Sequence, residues 1–293
     1  MKIFFIGCVE FSKELLSSII DLPKIKVVGI ATKESSKFNS DHYDISKVGN
    51  LYDVPFKYIK DINESKTYDW IYSLSPDIIF CFGWPSLLKQ NILSIPKLGV
   101  VGYHPSELPL NRGRHPIIWA LVLGLKKTGS TFFLMNEGAD TGDIISQKTL
   151  KIKKNDDAES LYGKLIDISK KQLKEIVSDL KNDSLVITPQ IMQGNFWRKR
   201  EKRDGLIDCR MSSENIYNLI RGLSRPYVGA HFEYNGKEIK VWKSQICKTN
   251  KSNFEPGKVL KILDNGIITV KTGDGSIDII EHELQDKKIN YLK

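Results

Sequence analysis

Short apolar runs alternate with amphipathic stretches through the first half of this chain. Residues 3–6 are apolar and end at Gly7, residues 12–20 carry apolar positions at helical spacing, and residues 26–31 are apolar again. Runs of this kind predict strands buried on both faces, and the strand–helix–strand order predicts a right-handed parallel unit. The pattern repeats. A helix closing over residues 68–74 stops before Pro76, residues 77–82 form the next strand, and residues 98–102 the one after. Residues 116–125 read as a helix with proline at its start, and residues 130–135, rich in β-branched and aromatic side chains, as a further strand. Asp156 or Asp157 is placed to cap a long amphipathic helix whose Leu161, Leu165, Ile168, Leu173, Ile176 and Leu180 follow one face.

The character changes after residue 190. Residues 197–203 (Trp-Arg-Lys-Arg-Glu-Lys-Arg) read as a charged linker, and a short helix follows over Ser213–Leu223. Beyond Pro226, Asn235-Gly236, Asp264-Asn265-Gly266 and the 272–275 stretch Thr-Gly-Asp-Gly separate strand-like runs and predict hairpins. The expected architecture is α/β: an open, mostly parallel Rossmann-like sheet with helices on both faces over residues 1–190, a linker at 191–204, and a small mostly-β domain at 205–293.

Bulk properties narrow the class. An apolar content of 41% and a charged content of 27% are ordinary for a globular protein. The net charge of +9 is spread over scattered lysines, so a solvated cationic surface is expected, with an anionic ligand as the alternative. Cys8, Cys81, Cys209 and Cys247 are far apart and make neither a zinc pattern nor a disulfide framework; no metal is expected. A reducing cytoplasm fits. No signal-peptide pattern opens the chain, and no stretch approaches the ~18 apolar residues of a membrane span.

The candidate chemistry lies in two polar knots. Gly102-Tyr103-His104-Pro105-Ser106-Glu107-Leu108-Pro109 leads into Asn111-Arg112-Gly113-Arg114, and Gly138-Ala139-Asp140-Thr141-Gly142-Asp143 follows the next apolar stretch. In an open parallel sheet, ligands bind beyond the carboxyl ends of strands, where a histidine suits acid–base work near neutral pH. Asp140, with Asp143 as rival, is expected to leave the same edge of the sheet as His104 and to tune it or collect a proton. His115, Asn111 and Asn136 lie beside these knots as polar neighbours, while Trp197 and Trp242 read as packing residues; Trp84, before Pro85, is placed to line a pocket. The first βα turn, Gly7-Cys8-Val9-Glu10-Phe11-Ser12, lacks the three-glycine dinucleotide spacing, and no P-loop is present, which disfavours a dehydrogenase or a kinase.

These motifs resemble the 10-formyltetrahydrofolate-dependent formyltransferases, which include the methionyl-tRNA, glycinamide ribonucleotide and nucleotide-sugar enzymes. His104, Ser106, Leu108, Pro109, Arg112 and Gly113 match the family's histidine segment, and Asp140-Thr141-Gly142 its aspartate loop. Residues 204–208 and 220–226 look like the junction into the family's C-terminal domain. The resemblance implies direct acyl transfer catalysed by His104 and Asp140. It places the folate beside Trp84, Ser86, Leu87 and Leu88, beside Asn136, Gly138, Ala139 and Asp140, and near Arg114.

One position departs. The family's asparagine falls at Gly102, so an oxyanion donor worth ~10²–10³ in rate is missing. Asn111 is the preferred substitute, with Asn136, a backbone N–H or water as others. The expected acceptor is the amine of a nucleotide-linked amino sugar used for surface glycans such as lipopolysaccharide. The 33–50 segment, with Ser35, Ser36, Asn39, Ser40, Asp41 and Asp44, offers little phosphate-hugging surface, which makes nucleic acid the less expected partner. Methionyl-tRNA formyl transfer and a catalytically degraded folate- or nucleotide-binding module are the alternatives. A homodimer is compatible with the resemblance.

Overall fold

The computed structural model describes residues 1–36, 40–247, 252–286 and 289–292, so Asn39 lies outside the described residues. The chain divides into two compact units: Met1–Pro116, Thr128–Leu150 and Gly163–Trp197 make the first; Ile117–Lys127, Lys151–Tyr162 and Arg198–Lys293 make the second.

The first unit is built on a seven-stranded sheet. Its strands are β1 (Lys2–Gly7), β2 (Lys26–Thr32), β3 (Phe56–Tyr58), β4 (Ile78–Phe82), β5 (Val100–His104), β7 (Lys127–Leu134) and β8 (Ile144–Lys151), while β6 (Arg112–Gly113) lies outside it. The order is β3-β2-β1-β4-β5-β7-β8, parallel from β3 to β5 and antiparallel between β5 and β7. Helix α1 (Glu10–Ile19) joins β1 to β2, and α2 (Ser46–Leu51) and α3 (Ser65–Leu74) flank β3. A short α4 (Gln90–Leu93) precedes β5. As the unbroken apolar runs predict, every residue of β4 and all but the first of β1 are buried.

Side chains alternate across the sheet, and the two faces bury different chemistry. On one, Phe4, Ile6, Val28, Ile79, Cys81, Leu88 and Val100 form a core against which Trp84 and Met135 pack. On the other, the rings of Phe5, Phe82, Phe132, Tyr103 and Phe11 meet at centroid distances from 4.2 to 6.3 Å. Each such ring pair contributes about 0.5–1.5 kcal/mol beyond its buried area, so β5 is clamped from the Tyr103 side. Strand β8 does not appear in the apolar pattern. Its residues 147–149 are exposed, and a half-solvated edge strand carries no continuous apolar run.

The second unit carries an antiparallel five-stranded sheet. Its strands β10 (Ala230–Tyr234), β11 (Lys237–Cys247), β12 (Val259–Ile262), β13 (Ile268–Lys271) and β14 (Ser276–His282) are ordered β10-β11-β14-β13-β12. Each expected turn sits at a hairpin. Asn235 and Gly236, at φ 50° and 71°, join β10 to β11 in the left-handed conformation that this residue pair tolerates. Helix α7 (Ser213–Leu223), capped by the Ser212 hydroxyl accepting from the Asn215 amide, buries Ile216, Leu219, Ile220 and Leu223 with Phe232, Val241, Val270 and Ile279. Helices α5 (Pro116–Val122) and α6 (Ala158–Lys181) complete the set. The cap of α6 is Asp157, whose carboxylate accepts from the Ser160 amide at 2.9 Å; that of Asp156 takes the Lys153 amide instead.

The charged 197–203 stretch is not wholly an open linker. Trp197 belongs to β9 (Phe196–Trp197), which pairs in parallel with β6, and residues Lys202–Gly205 form a single 3₁₀ turn. Among the described residues, no helix is long and apolar enough to cross a membrane.

Candidate active site

His104 is the last residue of β5, not a loop residue, and is only 4% exposed. It shares the face of Val100 and Gly102, while Tyr103 points to the aromatic face. There the Tyr103 hydroxyl accepts from Ser130 Oγ at 3.2 Å, and burial pushes its phenol up to about 12, so it stays neutral beneath the site. His104 Nε2 lies 2.7 Å from the main-chain carbonyl of Asn111. A carbonyl oxygen only accepts, so Nε2 carries a proton, and Nδ1 is the nitrogen left for chemistry. Nδ1 stands 3.5 Å from Asp140 Oδ2. Two facing lone pairs repel, so this contact is attractive only when a proton lies between Nδ1 and Oδ2.

The two residues meet by a route other than the one expected. Because β7 runs antiparallel to β5, with Leu134 opposite Val101 and Thr131 opposite His104, the chain leaves β7 at the end where β5 begins. The Asp140 loop therefore does not exit beside His104. It folds back over the sheet face, and a built-in tether brings it there: Gly113 N–H donates to Asp140 Oδ2 at 2.9 Å, and Arg112 Nε to the Asp140 carbonyl at 3.1 Å. Asp140 itself has φ 57°, a left-handed conformation that costs a non-glycine residue roughly 1–2 kcal/mol. Gly142 has no alternative, since a Cβ there would fall 1.6 Å from the Leu134 carbonyl oxygen. The rival Asp143 is exposed, and its main-chain carbonyl accepts from the Leu134 amide.

The space at Gly102 is filled by apolar atoms. A Cβ built there would lie 2.8 Å from both Met135 Cγ and Phe133 Cζ and 3.2 Å from Met135 Sδ. Met135 thus occupies the direction in which the family's asparagine side chain would extend. The expected substitute, Asn111, does not turn its side-chain amide to the site: its Oδ1 accepts from Asn195 Nδ2 at 3.1 Å, and its main-chain N–H donates to Asn195 Oδ1 at 2.8 Å. What Asn111 lends His104 is its main-chain carbonyl. Asn136 is likewise engaged, its Oδ1 accepting from the Gly138 amide and the Thr141 hydroxyl and so shaping the loop that carries Asp140.

Of the residues expected beside a folate, Trp84 donates its indole N–H to Ser86 Oγ at 3.0 Å and lies under the Lys33 ammonium at 4.7 Å. Leu87 is exposed, whereas Leu88 is 2% exposed and belongs to the core beneath. Arg114 Nη2 donates to the Pro85 carbonyl at 3.3 Å. The tripeptide 112–114 thereby touches both the strand-exit loop after β4 and the Asp140 loop. Gly138 is exposed and Ala139 half-buried on that second loop. Among the described residues, no group of three or more His, Cys, Asp or Glu side chains is gathered to hold a metal.

Two participants escaped the sequence reading. Asn195 pairs with Asn111, and Gln190 donates to the carbonyls of Asp140 and Gly142 at 3.0 and 2.6 Å while its Oε1 accepts from Arg112. Both sit in the irregular chain after α6, with no motif to mark them.

Comparisons with known proteins give the family of the chain. The Formyl transferase family matches residues 33–177, and its C-terminal domain matches residues 199–293. A methionyl-tRNA formyltransferase of Halothermothrix orenii is 30% identical over 98% of this chain and 94% of its own length. The chain belongs to the formyltransferase family. The bifunctional polymyxin resistance protein ArnA of Wigglesworthia glossinidia brevipalpis is 37% identical over 89% of this formyltransferase, and the match spans 40% of that longer protein. Among solved structures, an N-formyltransferase from Helicobacter canadensis, crystallised with folinic acid and dTDP-3-aminofucose, superposes with a TM-score of 0.71. That match covers 95% of this formyltransferase and 98% of the other chain at 17% identity, a likeness of fold.

Proposed function

We propose that this formyltransferase moves a formyl group from 10-formyltetrahydrofolate to the amine of a nucleotide-linked amino sugar. The observation that carries the chemistry is the His104 imidazole held between the Asn111 carbonyl and the Asp140 carboxylate. The neutral amine attacks the formyl carbon, a C–N bond forms, and the bond from that carbon to N10 of the folate breaks. One proton leaves the amine and one arrives at N10, so the products are a formamide and tetrahydrofolate. The Asp140 carboxylate is the acceptor for the amine proton, and the protonated His104 ring supplies positive charge beside the developing oxyanion. Holding both substrates against this pair lowers the barrier through proximity. The folate's place is between the loop after β4 and the 136–140 loop, whose spacing the Arg112–Arg114 tripeptide sets from both sides.

The sugar acceptor is supported by the dTDP-aminosugar bound by the Helicobacter canadensis protein. The second reading, methionyl-tRNA as acceptor, is favoured by the full-length match to the Halothermothrix orenii enzyme. One assay separates them: tetrahydrofolate release from 10-formyltetrahydrofolate with UDP-, dTDP- and GDP-amino sugars and with charged initiator tRNA. Turnover with a sugar supports the proposal and removes the degraded-module reading. Turnover with tRNA alone, with binding that fades steeply as salt rises, transfers the activity to the second reading.

A further inference from the structure

Gln190 lies in no motif, yet its side chain reaches both carbonyls flanking the turn after Asp140. Its Nε2 donates to the Asp140 carbonyl at 3.0 Å and the Gly142 carbonyl at 2.6 Å. Its Oε1 accepts from Arg112 Nε at 3.2 Å and Nη2 at 2.7 Å. Arg112 Nε also donates to the Asp140 carbonyl. The result is a closed ring of hydrogen bonds among Gln190, Arg112 and the 140–142 backbone. The next residue on the Arg112 side, Gly113, gives its amide to the Asp140 carboxylate. Because β7 and β5 are antiparallel, no strand end delivers Asp140 to His104, and this ring is what holds the folded-back loop in place.

We propose that Gln190 is a positioning residue, acting through the Asp140 main chain to hold the carboxylate against His104. The inference rests on the proposed roles of those two residues. A side-chain amide is required because the ring needs two donors facing carbonyls and one acceptor facing a guanidinium in a single planar group; neither an acid nor an aliphatic side chain offers that set.

The test compares Gln190→Ala with Gln190→Glu. The glutamate keeps the acceptor for Arg112 and loses both donors, so it separates anchoring of Arg112 from clamping of the loop. Both variants are expected to lose about 10²-fold in kcat, the scale of a misplaced catalytic group, with KM for 10-formyltetrahydrofolate changed by less than about threefold. In both, hydrogen exchange at the Gly113 amide should accelerate relative to wild type and to Gln193→Ala as a surface control. Exchange does not depend on knowing the acceptor, and thermal melts confirm that the compared samples are folded. Wild-type kcat in Gln190→Glu, or unchanged Gly113 protection in both variants, overturns the proposal. His104→Ala and Asp140→Ala run in the same assay: if they abolish turnover while the Gln190 variants do not, the Gln190 role alone fails; if they turn over normally, the catalytic reading falls with it.

Discussion

Asp140 in the first unit and Asp204 in the second both pin irregular chain, and they do so with opposite economies of hydrogen bonding. Asp204 accepts three hydrogen bonds through its carboxylate. Arg198 donates to both of its oxygens, at 2.7 and 2.5 Å, and the Glu201 amide donates at 2.7 Å. The Arg198 guanidinium hydrogen bond holds this carboxyl well below the usual carboxylate range. Asp140 is held chiefly by its backbone, through Arg112 and Gln190, while its carboxylate receives a single amide, from Gly113, and faces His104. Its Oδ1 takes no hydrogen bond among the described residues. A carboxylate that already accepts three hydrogen bonds, two of them from a guanidinium, resists taking a proton. One fixed through its main chain is held in place and still reactive.

The largest expected effect follows from that contrast. Asp140→Asn should cut turnover by about 10²–10⁴, as should His104→Ala, the range for loss of a positioned acid or base. Neither should move Tm by more than a few degrees. Asp204→Asn should do the reverse, lowering Tm while leaving kcat within about threefold, since it breaks the paired Arg198 contact and leaves the His104–Asp140 pair untouched. Steady-state kinetics with 10-formyltetrahydrofolate and calorimetry of the same samples check both; equal kinetic losses at the two aspartates would erase the distinction.

A second test enters the site itself. Gly102→Asn adds back the family's amide but drives its Cβ into Met135 and Phe133, each 2.8 Å away. Overpacking of this kind costs about 1–3 kcal/mol, so the single variant should melt earlier and turn over more slowly. Gly102→Asn with Met135→Ala opens the space that the amide needs. The double variant should recover stability relative to Gly102→Asn and exceed its kcat. If it recovers neither, Met135 is not what excludes the asparagine.

How far the chain itself announced this arrangement depends on the range of each interaction. Buried strands such as residues 78–82 are legible because an apolar run has few other fates, and the hairpin at Asn235-Gly236 because the pair tolerates left-handed backbone. His104 and Asp140 stand in recognisable local patterns. That they meet is as expected, but not from one sheet edge, because the direction of β7 against β5 is a long-range choice that leaves no local trace. Gln190 and Asn195 were invisible for the same reason: an amide bonded to backbone 50 residues away needs no pattern around it. Asn111 shows a third case. Proximity to the histidine was correct, but the contact belongs to its carbonyl, which every residue has.

That last point predicts a modest effect. Asn111→Ala retains the carbonyl that orders His104 and the main-chain amide that donates to Asn195 Oδ1, and loses only the contact from Asn195 Nδ2 to Asn111 Oδ1. It also places alanine at φ 63°, where asparagine is better tolerated by roughly 1 kcal/mol. Turnover should fall by less than about tenfold, at a level explained by loosening of the 111–114 segment. Asn195→Ala should cost somewhat more, because it removes both the acceptor for the Asn111 main-chain amide and the donor to Asn111 Oδ1. A loss of 10²–10³ confined to Asn111→Ala would instead return its side chain to the oxyanion role.

The smallest effect lies in the second unit, where charge replaces neutral hydrogen bonds. Glu238 sits between Lys202, 2.5 Å away, and Lys240, and the Lys202 hydrogen bond leads in pulling its carboxyl down to about 2. A folded-state value below the ordinary 4.5 means that the ionised form favours the fold. The stabilisation is therefore complete above the ordinary value and is lost as pH falls from 4.5 toward 2. Lys202→Ala should shift acid unfolding of this unit to slightly higher pH, followed by tryptophan fluorescence of Trp242, with no change in melting at neutral pH large enough to rival the Asp204 variant. Because Lys202 is mostly exposed, the shift should shrink in 1 M salt, where screening acts over about 3 Å. In the Asp140 tether the Arg112 guanidinium and the Asp140 carboxylate each bond to neutral groups, so it should show a smaller salt dependence; a tether that loosened with salt as much would mean that charge, not directed hydrogen bonding, sets the geometry around His104.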